Sequence, residues 1–445
     1  MMDPDFTASS IAARVRAGAL TPTEAVDAAL QRIAERDLHL GAFVAVRPEQ
    51  ARAEAAELAA RGDLSDLPLA GVPVAVKDNV PVTGHRLGNG SRASSPLPST
   101  ADHPVVARLR AAGAVVVGLT AVPELCLWGT ADTPEMITRN PWNPSRTSGG
   151  SSGGSAVAVA AGMVPAAHGA DGMGSIRIPS AACGVVGIKP GRGLVPAELG
   201  VDSWFGMSEN GPIATTVADT ALVLSVMADR PDLAEVADPG SLRIAVSTRS
   251  PLAFVRVDPH WRAAAERAAT ALGGAGHHIA TAQLPYPANP LPLIARWTAG
   301  TAADAAELDP ALLQRRTRGH AAVGRQLARF VKTEQVERVQ RALDGFFARY
   351  DVVITPTLAA APIASARWSE KSWLSNVVAN VRYAPFPSLW NLAGWPAASV
   401  PAGIHPQTGT PLGVQIAAPP GGEGKILAVA AQLEQLLPWT RVAAV

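Results

Sequence analysis

Cysteine is nearly absent from this chain: Cys126 and Cys183 are the only two in 445 residues. Two thiols cannot build a disulfide framework, nor the four-thiolate cage of a structural zinc. The nine histidines form no H-E-x-x-H pair, and no C-x-x-C accompanies them, so no metal and no cofactor is expected. Excess charge of either sign is missing too, with 38 Lys and Arg against 37 Asp and Glu. That argues against a nucleic-acid partner, which calls for a basic stripe, and against an anionic membrane surface. The Ala-rich run Ala156–Ala167 is too short to span a bilayer and is broken by Pro165. Met1 to Ser10 holds two Asp and no apolar stretch of the signal-peptide kind. A soluble, cytoplasmic protein is expected, with no nucleic-acid or membrane partner.

Apolar residues are plentiful, at 48 %, enough for a large core. The 40 Gly and 38 Pro fall short of a low-complexity composition. Length alone allows two or three domains, or one large α/β domain. Thr21-Pro22-Thr23-Glu24 reads as a capping box with Pro at the first helical position. Beyond it, helical and strand patterns alternate. Helices are predicted at 51–61, 103–112, 156–162, 215–228, 259–273 and 425–437, and one long or two shorter helices over 321–350. Buried strands are predicted at 72–76, 114–118, 185–189, 242–246, 351–355, 397–401 and 412–416. The pattern indicates an α/β fold: a large mixed β-sheet core covered on both faces by helices. No internal repeat or linker interrupts it, so 1–445 is read as one domain with its signature core at about 65–230.

Three segments carry chemistry. Residues 148–155 read SGGSSGGS and run straight into AVAVAAG. In isolation this is either a flexible linker or a turn opening a helix, whose free backbone N–H groups suit an oxyanion or a phosphate. No G-K-[ST] follows, which disfavours phosphate. Residues 150–154 also match G-x-S-x-G, but the loop NPWNPSRTS precedes them where that elbow needs a strand. The second segment, Asp171-Gly172-Met173-Gly174-Ser175-Ile176-Arg177, is either a plain turn or a set of amides around a reactive serine. The third is Lys77, closing the apolar run of VPVAVKDN. It either snorkels to solvent or stays buried, where desolvation frees its amine as a base.

Together these segments resemble the amidase signature family of serine hydrolases. The spacings of 74 residues from Lys77 to Ser151 and 24 from Ser151 to Ser175 suit that family's Lys–cis-Ser–Ser triad. The resemblance extends through AGVPVAVKDN, NPWNPSRTSGGSSGGSAVAVAAG, SIRIPSAACGVVGIKP, NLAGWPAASVPAG and GTPLGVQIAAPPG. It implies Ser175 as nucleophile, Ser151 as bridging serine after a cis peptide bond, and Lys77 as neutral base. It implies an oxyanion hole from the amides of Gly172, Met173, Gly174 and Ser175. Ser152, Asp171 and Arg177 would support the loop.

Two positions depart from the family pattern. Met173 replaces the first of two glycines before the nucleophile. Ile178 stands where the glutaminyl-tRNA amidotransferase subunits of the family usually carry Gln. A stand-alone amidase on a small amide, anilide, ester or carbamate is therefore expected. An ammonia-releasing amidotransferase subunit and a non-catalytic binding protein of the same fold are the alternatives. A monomer or homodimer is expected. Leu127 and Trp128, from the segment 125–128 that the resemblance places at the pocket, and Trp204 are the candidate pocket residues. Leu125, Phe205 and Met207 flank them. The apolar set favours a neutral substrate.

Overall fold

The computed structural model describes residues 6–444. Met1–Asp5, part of the stretch read for a leader, lie outside the described residues. Among the described residues no helix is long and apolar enough to cross a membrane.

Among the described residues eleven strands form one sheet. In chain order they are β1 (Phe43–Val46), β2 (Pro73–Lys77), β3 (Val115–Thr120), β4 (Ala166–Asp171), β5 (Val186–Lys189), β6 (Glu209–Ala214), β7 (Arg243–Val246), β8 (His278–Thr281), β9 (Val352–Pro356), β10 (Ala397–Ile404) and β11 (Pro411–Ala417). Their spatial order is β1-β3-β2-β4-β6-β5-β10-β11-β9-β7-β8. Pairs β2·β3, β2·β4, β7·β8 and β7·β9 are parallel, and the other pairs are antiparallel. The sheet is mixed, as expected. Every residue of β2, β3, β4, β5, β6, β9 and β11 is buried. Successive strand side chains point to opposite faces, so both faces of the central sheet are covered.

Local signals explain much of this. The Thr21 hydroxyl accepts from the Glu24 amide at 3.2 Å, and the Thr21 amide donates to the Glu24 carboxylate at 2.8 Å. This capping box opens the helix Pro22–Leu40. The region 321–350 resolves into two helices, Arg315–Leu327 and Thr333–Phe347, separated by a short tight turn. Strands β1, β4, β6 and β8 were not anticipated. AAHGAD of β4 and ENGPIA of β6 are poor strand formers. They become strands because each pairs with the other along its whole length.

The segment SGGSSGGS is no linker. A Cβ on Gly150 would collide with the Thr130 carbonyl, and one on Gly154 with the Ala42 carbonyl. These glycines let backbones pack directly, and all eight residues are buried.

The same device joins the helices Leu291–Asp304 and Arg315–Leu327. A Cβ on Gly324 would run into the Thr298 carbonyl oxygen. Backbone cannot yield as a flexible side-chain tip can, so overpacking costs about 1–3 kcal/mol. Gly324→Ala should therefore lower the calorimetric Tm by a few degrees. An unchanged Tm would show that the two helices slide apart freely.

Candidate active site

Adjacent parallel strands bring their carboxyl ends together, which is where open α/β sheets build sites. β2 ends in Lys77 and its neighbour β4 ends in Asp171. Lys77 is fully buried. Its Nζ lies 2.7 Å from Ser151 Oγ and donates to the Ala170 carbonyl at 3.1 Å. Burial strips water from the ammonium form and pushes the Lys77 pKa down; nearby Cys126 and Asp171 oppose this less strongly. The amine is thus shifted toward its neutral form.

Ser151 follows a cis peptide bond from Gly150 and precedes the helix Gly153–Ala160. Ser152 faces the core rather than a substrate. Its hydroxyl bridges the Ala170 amide and carbonyl at 3.2 Å each, and its amide donates to the Ser175 carbonyl at 3.1 Å. Placing Ser152 against β4 in this way leaves the G-x-S-x-G elbow without an exposed nucleophile.

The turn from β4 into the helix Arg177–Cys183 is organised by one carboxylate. Asp171 accepts from the Gly174 amide at 2.6 Å and the Ile176 amide at 3.2 Å. Arg177 grips it with Nε at 2.9 Å and a terminal nitrogen at 3.0 Å. Asn391 donates to it at 2.8 Å, and Arg177 extends further to Pro387, Gln415 and Asn391. Both members of the pair are wholly buried. Burial pushes the Asp171 pKa up, but the guanidinium and the hydrogen bonds outweigh it and hold the carboxyl well below the usual range.

Ser175 lies in this turn, 8 % exposed, and lines a cavity shared with Lys77 and Ser151. Among the described residues no direct hydrogen bond joins the Ser175 and Ser151 hydroxyls. Gly174 has φ of +115°, and a Cβ there would meet Pro387 at 2.6 Å. Its amide, one of the four implied for the oxyanion hole, is given to Asp171. Met173 turns its side chain into the apolar cluster that contains Leu127, Trp128 and Trp204.

The pocket differs from expectation. Trp204 lines the cavity, but Leu127 and Trp128 do not. Trp128 is 1 % exposed and packs edge-on against Trp297 and His320. Leu125 and Cys126 take left-handed backbone, φ +51° and +55°. They, not their neighbours, reach the cavity. Asn79, Asn89, Ser208 and Asp304 also line it. None of these polar residues was singled out from sequence. The Cys126 thiol donates to Asn89 Oδ1 at 3.4 Å, and burial pushes its pKa up, keeping it protonated.

Comparison with known proteins places the chain among amidases. A sequence model of the amidase family matches residues 24–427. AmiB2 of Mycobacterium bovis, which bears an amidase name, is 40 % identical, with 98 % of each chain covered. The 6-aminohexanoate-cyclic-dimer hydrolase of Paenarthrobacter ureafaciens is 33 % identical over 97 % of this chain and 95 % of its own. A solved structure of 6-aminohexanoate cyclic dimer hydrolase with substrate superposes with a TM-score of 0.89, 31 % identity and 98 % coverage of both chains.

Two outcomes follow from the buried groups. Arg177→Ala leaves Asp171 buried and unpaired, which costs about 3–5 kcal/mol. Urea denaturation should show that loss, and a change below 1 kcal/mol would mean that the pair is dispensable. The second concerns His168, which is buried and held neutral with a pKa lowered to about 3 by burial. Its Nδ1 accepts from the Lys77 amide at 3.3 Å and its Nε2 donates to Asn210 Oδ1 at 2.8 Å, so a second proton has no place. Below about pH 6.5 the unfolded chain takes that proton and the folded chain refuses it. Stability from His168 is therefore lost as pH falls from about 6.5 toward 3. The stability advantage of wild type over His168→Gln should shrink by up to about 3 kcal/mol between pH 7 and 4. A constant gap would show that the folded state accepts the proton.

Proposed function

The chain belongs to the amidase signature family and is an amidase, a hydrolase of amide bonds, and from that premise we propose that it cleaves them through an acyl-enzyme on Ser175. One observation carries the reading: a fully buried Lys77 amine 2.7 Å from Ser151, with Ser175 on the same cavity. A serine hydroxyl is a weak nucleophile until a base takes its proton. Neutral Lys77 takes the proton of Ser151 as Ser151 takes that of Ser175. The Ser175 oxygen then attacks the carbonyl carbon. The amides of Gly172, Met173 and Ser175 receive the developing oxyanion, while Gly174 supplies the backbone conformation. The proton returns through Ser151 to the leaving amine. Water repeats the relay and frees the acid.

The expected substrate is small and neutral at the scissile bond. Trp204, Leu125 and the cluster behind them offer apolar walls. An aromatic amine is a weak base and leaves readily, so anilides, aryl esters and N-aryl carbamates should outrun unactivated alkyl amides. A relative acts on a cyclic amide dimer of 6-aminohexanoate, which supports a small amide rather than glutamine. Preferential turnover of free glutamine over acetanilides and N-aryl carbamates would overturn this reading in favour of an amidotransferase subunit.

Ser175→Ala should abolish turnover and fluorophosphonate labelling. Label found on Ser152 would refute the assignment. For the base, rate should rise with pH through the lowered pKa of Lys77, because only the neutral amine accepts a proton. Lys77→Ala should lose about 10²–10⁴-fold in kcat together with that rising limb. An unchanged pH profile in the variant would reduce Lys77 to a structural role.

A further inference from the structure

Asp304 ends the helix Leu291–Asp304 and lines the same cavity as Ser175. Its Oδ2 accepts from the indole of Trp204 at 2.7 Å, and its Oδ1 from the Val201 amide at 2.6 Å. Both donors are neutral. Among the described residues it forms no ion pair with Arg, Lys or His, and burial pushes its pKa up with only those two hydrogen bonds in opposition. An ionised carboxylate has about four acceptor positions, so two are unfilled.

The rest of the cavity has the same bias. Asn79 Oδ1 is buried there without any hydrogen-bond partner. Asp171 is cancelled by Arg177. Lys77 is the one basic side chain lining the cavity, and it is held toward neutrality. Among the described residues the cavity thus offers spare acceptors and a carboxyl with no ionic partner. Asp304 is half-buried, so its ionised form is short of solvent as well as of a partner, and a cationic ligand would supply that partner.

We infer that the cavity selects substrates carrying a protonated amine remote from the scissile carbonyl, seated against Asp304. This rests on the amidase reading of the same site and narrows its substrate class: neutral where the bond breaks, cationic at the far end. One charge-assisted hydrogen bond corresponds to about ten-fold or more in affinity.

The test uses the full chain and p-nitroanilides of straight-chain ω-amino acids of graded length. Each is paired with the alkanoyl p-nitroanilide in which methyl replaces ammonium. At the best length the amino substrate should show a kcat/KM at least about ten-fold above its partner, and Asp304→Asn should bring the ratio to about one. A wild-type ratio of one or less overturns the inference. So does a ratio that survives in Asp304→Asn, even if both rates fall, because Asp304 then only holds Trp204 in place. Should the variant not fold, calorimetric binding of n-hexylammonium against 1-hexanol to wild type decides. Tighter ammonium binding supports the inference, and equal or weaker binding overturns it. Absence of turnover with every anilide, alongside preferred ammonium binding, would instead overturn the amidase reading while leaving the cationic subsite standing.

Discussion

Exclusion of water from one amine governs this site. A lysine ammonium in water keeps its proton to about pH 10.4. Lys77, at the end of a strand covered on both faces, has no such solvent and, among the described residues, no carboxylate within ion-pair distance. In the neutral form proposed for it, the amine has two N–H donors and one lone pair. One N–H is spent on the Ala170 carbonyl. The lone pair can then take the Ser151 hydroxyl proton at the observed 2.7 Å. A solvent-exposed lysine with the same neighbours would be charged and could only donate. Core packing around β2 is thus a chemical requirement as well as a stabilising one.

That constraint explains why the neighbouring loops are rich in glycine. Lys77 can be dry only if backbone closes over it, and side chains would hold the backbones apart. Gly150 and Gly154 press against carbonyls of Thr130 and Ala42, so the loop carrying Ser151 lies directly on its neighbours. Ser152 then ties that loop to β4 and to the Ser175 carbonyl. The two serines are held by one set of contacts, so shifting either loop disturbs both. Preorganisation of this kind lets donors meet a developing charge without rearrangement.

The helices with apolar periodicity, the capping box at Thr21 and the strands rich in Val and Ile were legible in the sequence, because their signals are local. β4 and β6 were not, since Ala, Gly and Pro acquire a strand conformation only through pairing. Lys77, Ser151 and Ser175 stood out by motif and spacing, and the fold gathers them around one cavity. Leu127 and Trp128 were read as pocket residues because the segment 125–128 resembles one that lines the pocket in the family. The left-handed backbone at Leu125 and Cys126 gives the cavity to those two residues instead. Asp304 carries no local signal, since its meaning comes from Trp204, one hundred positions away.

The treatment of charge divides the cavity into two functional parts. Asp171 is surrounded by a guanidinium, amides and a carboxamide, so the turn bearing Ser175 is rigid and electrically quiet. Asp304 has only an indole and an amide. It clamps a backbone of unusual strain, with φ between +44° and +57° at Asp202, Ser203, Trp204 and Phe205. Left-handed conformation costs L-residues roughly 1–2 kcal/mol each, and such strain persists only where surrounding contacts enforce it. The Trp204 ring is brought against the turn that carries Ser175, where a Cβ on Gly172 would lie 2.9 Å from it. On the mechanism proposed above, satisfied charge would surround the bond to be broken. The half-buried carboxylate and the strained backbone would sit on the wall that the remainder of the substrate touches. Reaction chemistry and substrate choice would then fall to different residues of one small cavity.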